Sequence, residues 1–202
     1  MTRPSAARNT PMIGIAGWKK SGKTTLTVRL VEEFTRRGLV VATLKHAHHS
    51  FQIDDAETDS ARHRKAGARQ VAIVSGHRWA MVRELEGRPE PDFADVVSWL
   101  DPADLIIVEG YKSAPIPKIE ARRTASAKGR HLADDDPLVI AVAADHDVSP
   151  TRLPVFRLDD IAAIADFIAQ AVGPLQASRE PRDASAPPGE TGKAAGGRRS
   201  AT

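Results

Sequence analysis

The stretch GWKKSGKT at residues 17–24 constrains the fold of this chain more than any other feature. It fits the pattern G-x-x-x-x-G-K-[ST], with Gly17, Gly22, Lys23 and Thr24 at the fixed positions. Glycines at these positions let the backbone curl so that successive N–H groups point at phosphate oxygens. Lys23 is expected to bring a positive charge to the β- and γ-phosphates, and the Thr24 hydroxyl to ligate Mg²⁺. The pattern therefore predicts a phosphate loop.

The residues on either side give this pattern the context it needs. MIGIAG (12–17) is an apolar run typical of a buried strand, and residues 24–37 predict a helix that ends before Gly38. A strand, a glycine loop and a helix in this order indicate nucleotide binding, with the helix dipole adding to the attraction for phosphate. The remaining loop residues predicted to contact nucleotide are Trp18, Lys19, Lys20, Ser21 and Thr25.

Short apolar runs alternate with helical patterns along the rest of the chain. Strands are predicted at 39–44, 70–75, 78–85, 104–110 and 137–144, and helices at 59–66, 92–100 and 158–172. Several of these strands are apolar throughout, which is typical of a parallel sheet covered by helices on both faces. The prediction is an α/β fold of the P-loop NTPase class, with a doubly wound, mostly parallel sheet.

Composition restricts the environment and the partners. The 202-residue chain has no cysteine, which excludes disulfides and thiolate metal clusters. Its pI of about 9.4 comes from the ends, because residues 12–172 sum to a net charge of −1 and contain no basic stripe interleaved with aromatics. We therefore expect no nucleic-acid partner. No apolar run is long enough for a signal peptide or a membrane span, so we expect a soluble, cytoplasmic protein without a membrane partner.

The same composition divides the chain into three parts. Residues 1–11 are expected to form a flexible segment, and residues 12–172 the nucleotide-binding domain. Residues 173–202 are rich in Gly, Pro, Ala and Ser and contain almost no large apolar side chains. Such a segment cannot offset the entropy cost of ordering, and we predict that it is disordered.

A divalent cation on the phosphates needs a second protein ligand, and the strand DLIIVEG (104–110) offers two carboxylates. Asp104 and Glu109 lie at its opposite ends. Ligands of open α/β sheets gather at the carboxyl ends of the strands, so Glu109 is the candidate metal ligand beside Thr24.

The run TLKHAHHS (43–50) also leaves a strand at its carboxyl end. Three interpretations are open for it: a basic rim that contacts a second anionic ligand, a metal site, and a plain loop. Too few ligands weaken the metal interpretation, because Zn²⁺ normally takes three or four N or S ligands. The residues that would form the rim are Lys45, His46, His48 and His49, joined by Lys112 after the Glu109 strand.

Several of these stretches together resemble one family, the molybdopterin-guanine dinucleotide biosynthesis protein B family. The matching stretches are GWKKSGKTT (17–25), KHAHHSFQID (45–54), TDSARHRKAGA (58–68), RWAM (78–81), LIIVEGYK (105–112) and PKIE (117–120). Only the first is common among nucleotide-binding proteins; the combination is specific.

The resemblance implies a P-loop fold, a homodimer, and GTP with Mg²⁺ as ligands. It also implies weak GTPase activity and an adapter role. The implied partners are the guanylyltransferase that attaches GMP to molybdenum cofactor, and molybdopterin or its guanine dinucleotide. Carried onto this chain, the phosphate and metal functions fall on Gly17, Gly22, Lys23, Thr24 and Glu109. Asp59 becomes a further candidate near the γ-phosphate or the metal.

This sequence departs from related nucleotide switches at two places. Related dimeric switches often carry a lysine directly after the first loop glycine, whereas this chain has Trp18 there. No N-K-x-D or T-K-x-D follows the strand at 137–144, although Asp145 stands where a base-reading carboxylate would lie. Further along the chain, Lys118 and Glu120 either line a substrate edge or are solvated charges.

Three functions fit these patterns. The first is a GTP-binding adapter that is at most a slow GTPase, with Lys23 and Glu109 as the catalytic residues. The second is a P-loop phosphotransferase or ligase acting on a small molecule. The third is a GTP-dependent metallochaperone that uses the histidine run.

Overall fold

The computed structural model describes residues 10–47, 58–126, 130–149, 151–175 and 177. Within these residues the chain forms eight strands and four α-helices. The first half contains β1 (Met12–Ala16), α1 (Lys23–Arg36), β2 (Val41–Lys45), α2 (Asp59–Lys65), β3 (Gln70–Val74) and β4 (Trp79–Arg83). The second half contains α3 (Phe93–Ser98), β5 (Leu105–Glu109), β6 (Lys118–Arg122), β7 (Val139–Ala144), β8 (Val155–Arg157) and α4 (Ile161–Ala171).

Six of the strands form one parallel sheet in the order β2-β5-β1-β6-β7-β8. Helices α1 and α4 cover one face, where Leu30, Phe34 and Ile168 are fully buried. Helix α3 covers part of the other face through Val97, which packs with Ile106. The predicted α/β fold of the P-loop NTPase class is confirmed.

The sequence of α1 explains where this helix packs and where it ends. Leu26, Leu30 and Phe34 recur at intervals of four residues, so they form one apolar stripe that is buried against the sheet. Gly38 follows the helix with a φ of +84°, a left-handed conformation that favours glycine. Its N–H donates to the carbonyl of Thr35 at 2.9 Å and closes the last turn.

Strands β6 and β8 were not predicted from the sequence. The sequence left Lys118 and Glu120 as solvated charges or as a substrate edge, and the interpretation as solvated charges is wrong. Lys118 is 1% exposed and Glu120 is fully buried. Lys118 pairs with Asp136 at 3.0 Å, and Glu120 accepts a hydrogen bond from Arg122 at 2.7 Å. Burial of these charges is tolerated because each is paired.

Strands β3 and β4 form a separate antiparallel ribbon outside the parallel sheet. Val71 is buried on the side of the ribbon that carries it. On the opposite side, Val74, Trp79 and Met81 are 77%, 65% and 56% exposed. We call these three side chains the ribbon face; they form an apolar surface directed away from the described core.

None of the described helices is long and apolar enough to span a membrane. Residues 1–9 and almost all of 173–202 lie outside the described residues, so the predictions of a flexible start and a disordered tail stay predictions.

Candidate phosphate-binding site

The loop between β1 and α1 has the curled backbone that its glycines predict. Gly17 has a φ of +144° and Gly22 a φ of +92°. A Cβ atom on Gly17 would lie 2.5 Å from the carbonyl oxygen of Ala121 and 2.5 Å from the Ser21 hydroxyl. A Cβ atom on Gly22 would lie 2.7 Å from Nε of Arg123. Gly17 is therefore required for conformation and for space, because the Ala121 backbone cannot move aside, whereas Gly22 is required mainly for its conformation.

The polar groups of this loop fit an anionic ligand. Ser21 is 1% exposed, and its hydroxyl has no hydrogen-bond partner among the described residues. Lys23 folds back over the loop, where its Nζ donates to the carbonyl of Trp18 at 2.7 Å. A buried hydroxyl without a partner is costly, and a phosphate oxygen is an acceptor that would satisfy it. Lys19 and Lys20 are exposed beside this loop.

Burial lowers the pKa of the Lys23 ammonium below its ordinary value. The nearby Glu109 carboxylate opposes this effect and raises the pKa, while the positive charges of Lys112 and Lys45 lower it further. Desolvation and like charges both disfavour an ammonium group, so the loop holds Lys23 in a position where an added anion would relieve the cost.

Thr24 and Glu109, two of the predicted metal ligands, lie in direct contact. The Thr24 hydroxyl donates to Oε1 of Glu109 at 2.6 Å. Lys45 approaches the same oxygen, with Nζ at 3.4 Å. Glu109 is only 7% exposed and ends β5, which lies between β1 and β2 in the sheet. A hydroxyl and a carboxylate side by side are the hard oxygen ligands that Mg²⁺ prefers.

Asp104, the other carboxylate of β5, has a structural role instead. It lies at the opposite end of the strand, where its Oδ2 accepts from the backbone N–H of Val40 at 2.7 Å.

A cleft of about 370 Å³ opens on the other side of the loop. Its polar lining includes Thr25, Arg123, Asp145 and Arg157. Oδ1 of Asp145 accepts from the backbone N–H of Thr124 at 2.9 Å and lies 2.9 Å from Nδ1 of His146. The hydrogen bond with His146, followed by the one from Thr124, lowers the pKa of Asp145. This carboxylate is therefore ionised at neutral pH and oriented by its neighbours.

Of the histidine run, only His46 lies within the described residues. It turns towards Glu90, with Nε2 and a carboxylate oxygen 2.9 Å apart, and its ring lies 4.5 Å from that of Tyr111. His48 and His49 lie outside the described residues. Among those that are described, no three His, Cys, Asp or Glu side chains are grouped closely enough to hold a metal ion.

The structure does not bring Asp59 to the loop. Its side chain is 90% exposed at the start of α2 and pairs with Arg62 at 3.8 Å.

Sequence reasoning missed the arginines around the cleft. Arg123 directly follows β6, and Arg157 ends β8. Both residues stand at the carboxyl ends of strands, which is the signal that identified Glu109. The signal was lost because neither strand was recognised in the sequence.

Comparisons with known proteins identify the family of this chain. Residues 12–145 match the family model described as molybdopterin guanine dinucleotide synthesis protein B. The molybdopterin-guanine dinucleotide biosynthesis adapter protein of Escherichia coli (strain K12) is 37% identical over 164 residues, which cover 79% of this chain and 92% of that protein. The adapter protein of Haemophilus influenzae is 37% identical over 161 residues, covering 78% and 87%.

Solved structures give the same assignment. The crystal structure of a MobB protein homolog from Bacillus stearothermophilus matches with a TM-score of 0.61 at 26% identity, and covers 81% of this chain and 98% of that one. A second crystal structure, of molybdopterin-guanine biosynthesis protein B, matches with a TM-score of 0.57 at 28% identity, covering 79% and 99%. The curled loop, the position of Glu109 and these matches lead to one conclusion: the chain belongs to the molybdopterin guanine dinucleotide synthesis protein B family.

Proposed function

We propose that this protein is a GTP-binding adapter in molybdopterin-guanine dinucleotide biosynthesis and hydrolyses GTP only slowly. The contact of 2.6 Å between Thr24 and Glu109, beside the curled loop 17–24, carries this proposal. It supports a site for a nucleotide with its Mg²⁺ ion. The adapter role rests on membership of the family, whose curated members carry that name.

Different residues of the chain bind the phosphates and the Mg²⁺ ion of the nucleotide. The loop amides and the Ser21 hydroxyl bind phosphate oxygens, and Lys23 leaves the Trp18 carbonyl to add its charge. Thr24 and Glu109 would hold Mg²⁺, which supplies charge neutralisation on the phosphates when bound. No described side chain stands out as a group that orients water, in accordance with slow hydrolysis.

The preference for guanine rests on Asp145. An ionised carboxylate accepts hydrogen bonds and donates none. The Watson–Crick edge of guanine presents two adjacent donors, N1–H and the 2-amino group, whereas adenine presents an acceptor at N1. Asp145 at the cleft beside Thr25 therefore favours guanine over adenine.

The ribbon face supports the proposal of a homodimer. The ribbon exposes Val74, Trp79 and Met81 together, and exposed apolar patches of this kind commonly mark protein contacts. A second copy of the chain is the occupant we propose, because an isologous contact lets the same apolar patch cover itself.

Within the pathway, we propose that the dimer binds the molybdenum cofactor guanylyltransferase and brings GTP close to bound molybdopterin. The basic rim of Lys45 and His46 at the carboxyl edge supports contact with the phosphate of the pterin, since Lys45 lies at the site itself.

Calorimetric titration with Mg²⁺ and GTP tests the nucleotide site. The wild-type chain should bind GTP with one site per chain and ATP much more weakly. Lys23→Ala should weaken GTP binding by about 100-fold, because a charged contact to phosphate is lost. Lys65→Ala, on α2, removes a lysine outside the site and serves as the matched control. Unchanged GTP binding by Lys23→Ala would remove the assignment of this loop.

A further inference from the structure

The lysine that follows β5 is docked on the phosphate loop. Nζ of Lys112 lies 3.7 Å from the centroid of the Trp18 ring, a cation–π contact. Trp18 is the second residue of the loop, at the position where related switches carry a lysine. Lys112, from a different segment of the same chain, therefore brings a positive charge to the loop position where this sequence has Trp18 instead of a lysine.

A tight turn of the backbone determines where the Lys112 side chain begins. Gly110 has a φ of +79°, and the N–H of Lys112 donates to its carbonyl at 3.0 Å. This tight turn directly follows Glu109, so the candidate metal ligand and Lys112 leave the same strand end. Beyond that turn, the flexible four-carbon stem lets the ammonium group move while the backbone stays in place.

Trp18 is held on two further sides. Its indole Nε1 donates to the carbonyl of Arg130 at 2.8 Å, and its own carbonyl accepts from Lys23 at 2.7 Å. The ring therefore keeps a fixed orientation, and two ammonium groups meet at this one residue.

Among the described residues of the site, positive charges outnumber negative ones. Lys23, Lys45 and Lys112 lie around the carboxylate of Glu109, which Lys45 approaches to 3.4 Å. Like charges held together in this way are costly until an anion joins them. A polyphosphate is an anion with enough charge to offset this excess.

The sheet order indicates which phosphate Lys112 would meet. The cleft with Thr25 and Asp145 lies on the β6–β8 side of β1, and β5 with Lys112 lies on the other side. A nucleotide with its base in the cleft and its phosphates on the loop extends towards β5. Its last phosphate therefore arrives at the end where Glu109 and Lys112 stand.

We propose that Lys112 binds the terminal phosphate of GTP, leaving the Trp18 ring to do so, and makes the protein distinguish GTP from GDP. This inference rests on the proposed GTP site and adds the residue that binds the third phosphate. The terminal phosphate is thus bound by a lysine of the same chain. When that phosphate is absent, the lysine contacts the Trp18 ring.

Titration of Mg²⁺-GTP and Mg²⁺-GDP into Lys112→Met tests the proposal. Methionine keeps the length of the stem and removes the charge. The expected result is a Kd for GTP raised roughly 10- to 100-fold with little change for GDP, because only the triphosphate loses a charge-assisted contact. Lys112→Arg should restore part of the discrimination. Arg36→Gln, roughly 20 Å away at the far end of α1, removes one charge outside the site and should change neither value.

Trp18 provides a second readout. In a Trp79→Phe/Trp99→Phe chain, Trp18 is the remaining tryptophan. GTP should alter its emission more than GDP does, because the ammonium leaves the ring, and Lys112→Met should abolish that difference.

The outcomes separate this inference from the proposed function. If the wild-type chain binds GTP through Lys23 while Lys112→Met keeps the same ratio of GTP to GDP affinity, the role of Lys112 is wrong and the GTP site stands. If the wild-type chain binds no GTP, both are wrong.

Discussion

Among single residues, Asp145 in the cleft beside the loop has the most specific of the proposed roles, the recognition of guanine. Its Oδ1 is fixed by Thr124 and by His146. Those contacts keep the carboxylate ionised and oriented, which the proposed hydrogen bonds from guanine require.

Asp145→Asn should lower GTP affinity roughly 10- to 100-fold, because the amide nitrogen presents a donor to the donors of guanine. Xanthine carries a carbonyl in place of the 2-amino group, so the variant should bind XTP better than GTP. Competition titrations with GTP and XTP measure the exchange of preference. Equal loss of both nucleotides would mean that Asp145 supports the loop and does not read the base.

Lys23 should make GTP affinity depend on pH, and the direction of the change follows from its pKa. Burial lowers its pKa in the free protein, and a bound phosphate would raise that pKa again. GTP affinity should therefore fall as the pH rises through the lowered pKa, and binding there should take up protons. Calorimetry at pH 9 in buffers of different ionisation enthalpy measures this uptake. Lys23→Arg, which stays charged, should show less of it.

Among the elements, β6 shows how far sequence reasoning reached. Its residues Lys118, Glu120 and Arg122 alternate as the exposed face of a strand would, yet all three are buried. Their burial depends on the segment after the strand, where the backbone N–H groups of Leu132 and Ala133 both donate to Glu120 at 3.0 Å.

Glu120→Ala should therefore reduce the free energy of unfolding by about 3–5 kcal/mol, since it leaves Arg122 buried without its partner. Glu33→Ala on α1, which also removes a carboxylate paired with arginines, serves as the control and should cost much less, because Arg36 remains exposed to water. Urea denaturation of both variants measures the difference. A loss at Glu120 no larger than that at Glu33 would contradict this account of the strand.

The sequence predicted those elements that neighbouring residues determine. Apolar runs located β1, β2, β5 and β7, and the glycine loop located the start of α1, because period and turn chemistry are properties of neighbouring residues. The pairing of Lys118 with Asp136 joins residues 18 positions apart and has no local signature. The cleft depended on the same missed strands, so Asp145 was identified by its position after β7 while Arg123 and Arg157 were not.

At the scale of the molecule, the two parts of the structure expose different surfaces. The parallel sheet buries its strands under helices, whereas the ribbon of β3 and β4 leaves Trp79 and Met81 outside. The chain therefore presents the candidate phosphate-binding site at one edge of the sheet and an apolar ribbon face on a separate element.

Trp79→Glu should shift the protein from dimer to monomer, because a charge on the ribbon face would be buried without a partner in the contact. Trp99, directly after α3, is a matched control, since it is 60% exposed where Trp79 is 65% exposed. Trp99→Glu should leave the mass unchanged. Light scattering with size-exclusion chromatography measures both, and a dimeric Trp79→Glu would exclude the ribbon face as the interface.

Binding of a guanine nucleotide to the loop 17–24 is the proposal on which the others depend. Native mass spectrometry of the full chain, with Mg²⁺ and an equal mixture of GTP and ATP, tests it most directly. At a GTP concentration near the Kd of the wild type, the wild type should carry guanine nucleotide, whereas Lys23→Ala, with a Kd about 100-fold higher, should be almost empty. Adenine nucleotide on the wild type in preference to guanine nucleotide, or equal occupancy by guanine nucleotide in Lys23→Ala, would contradict this.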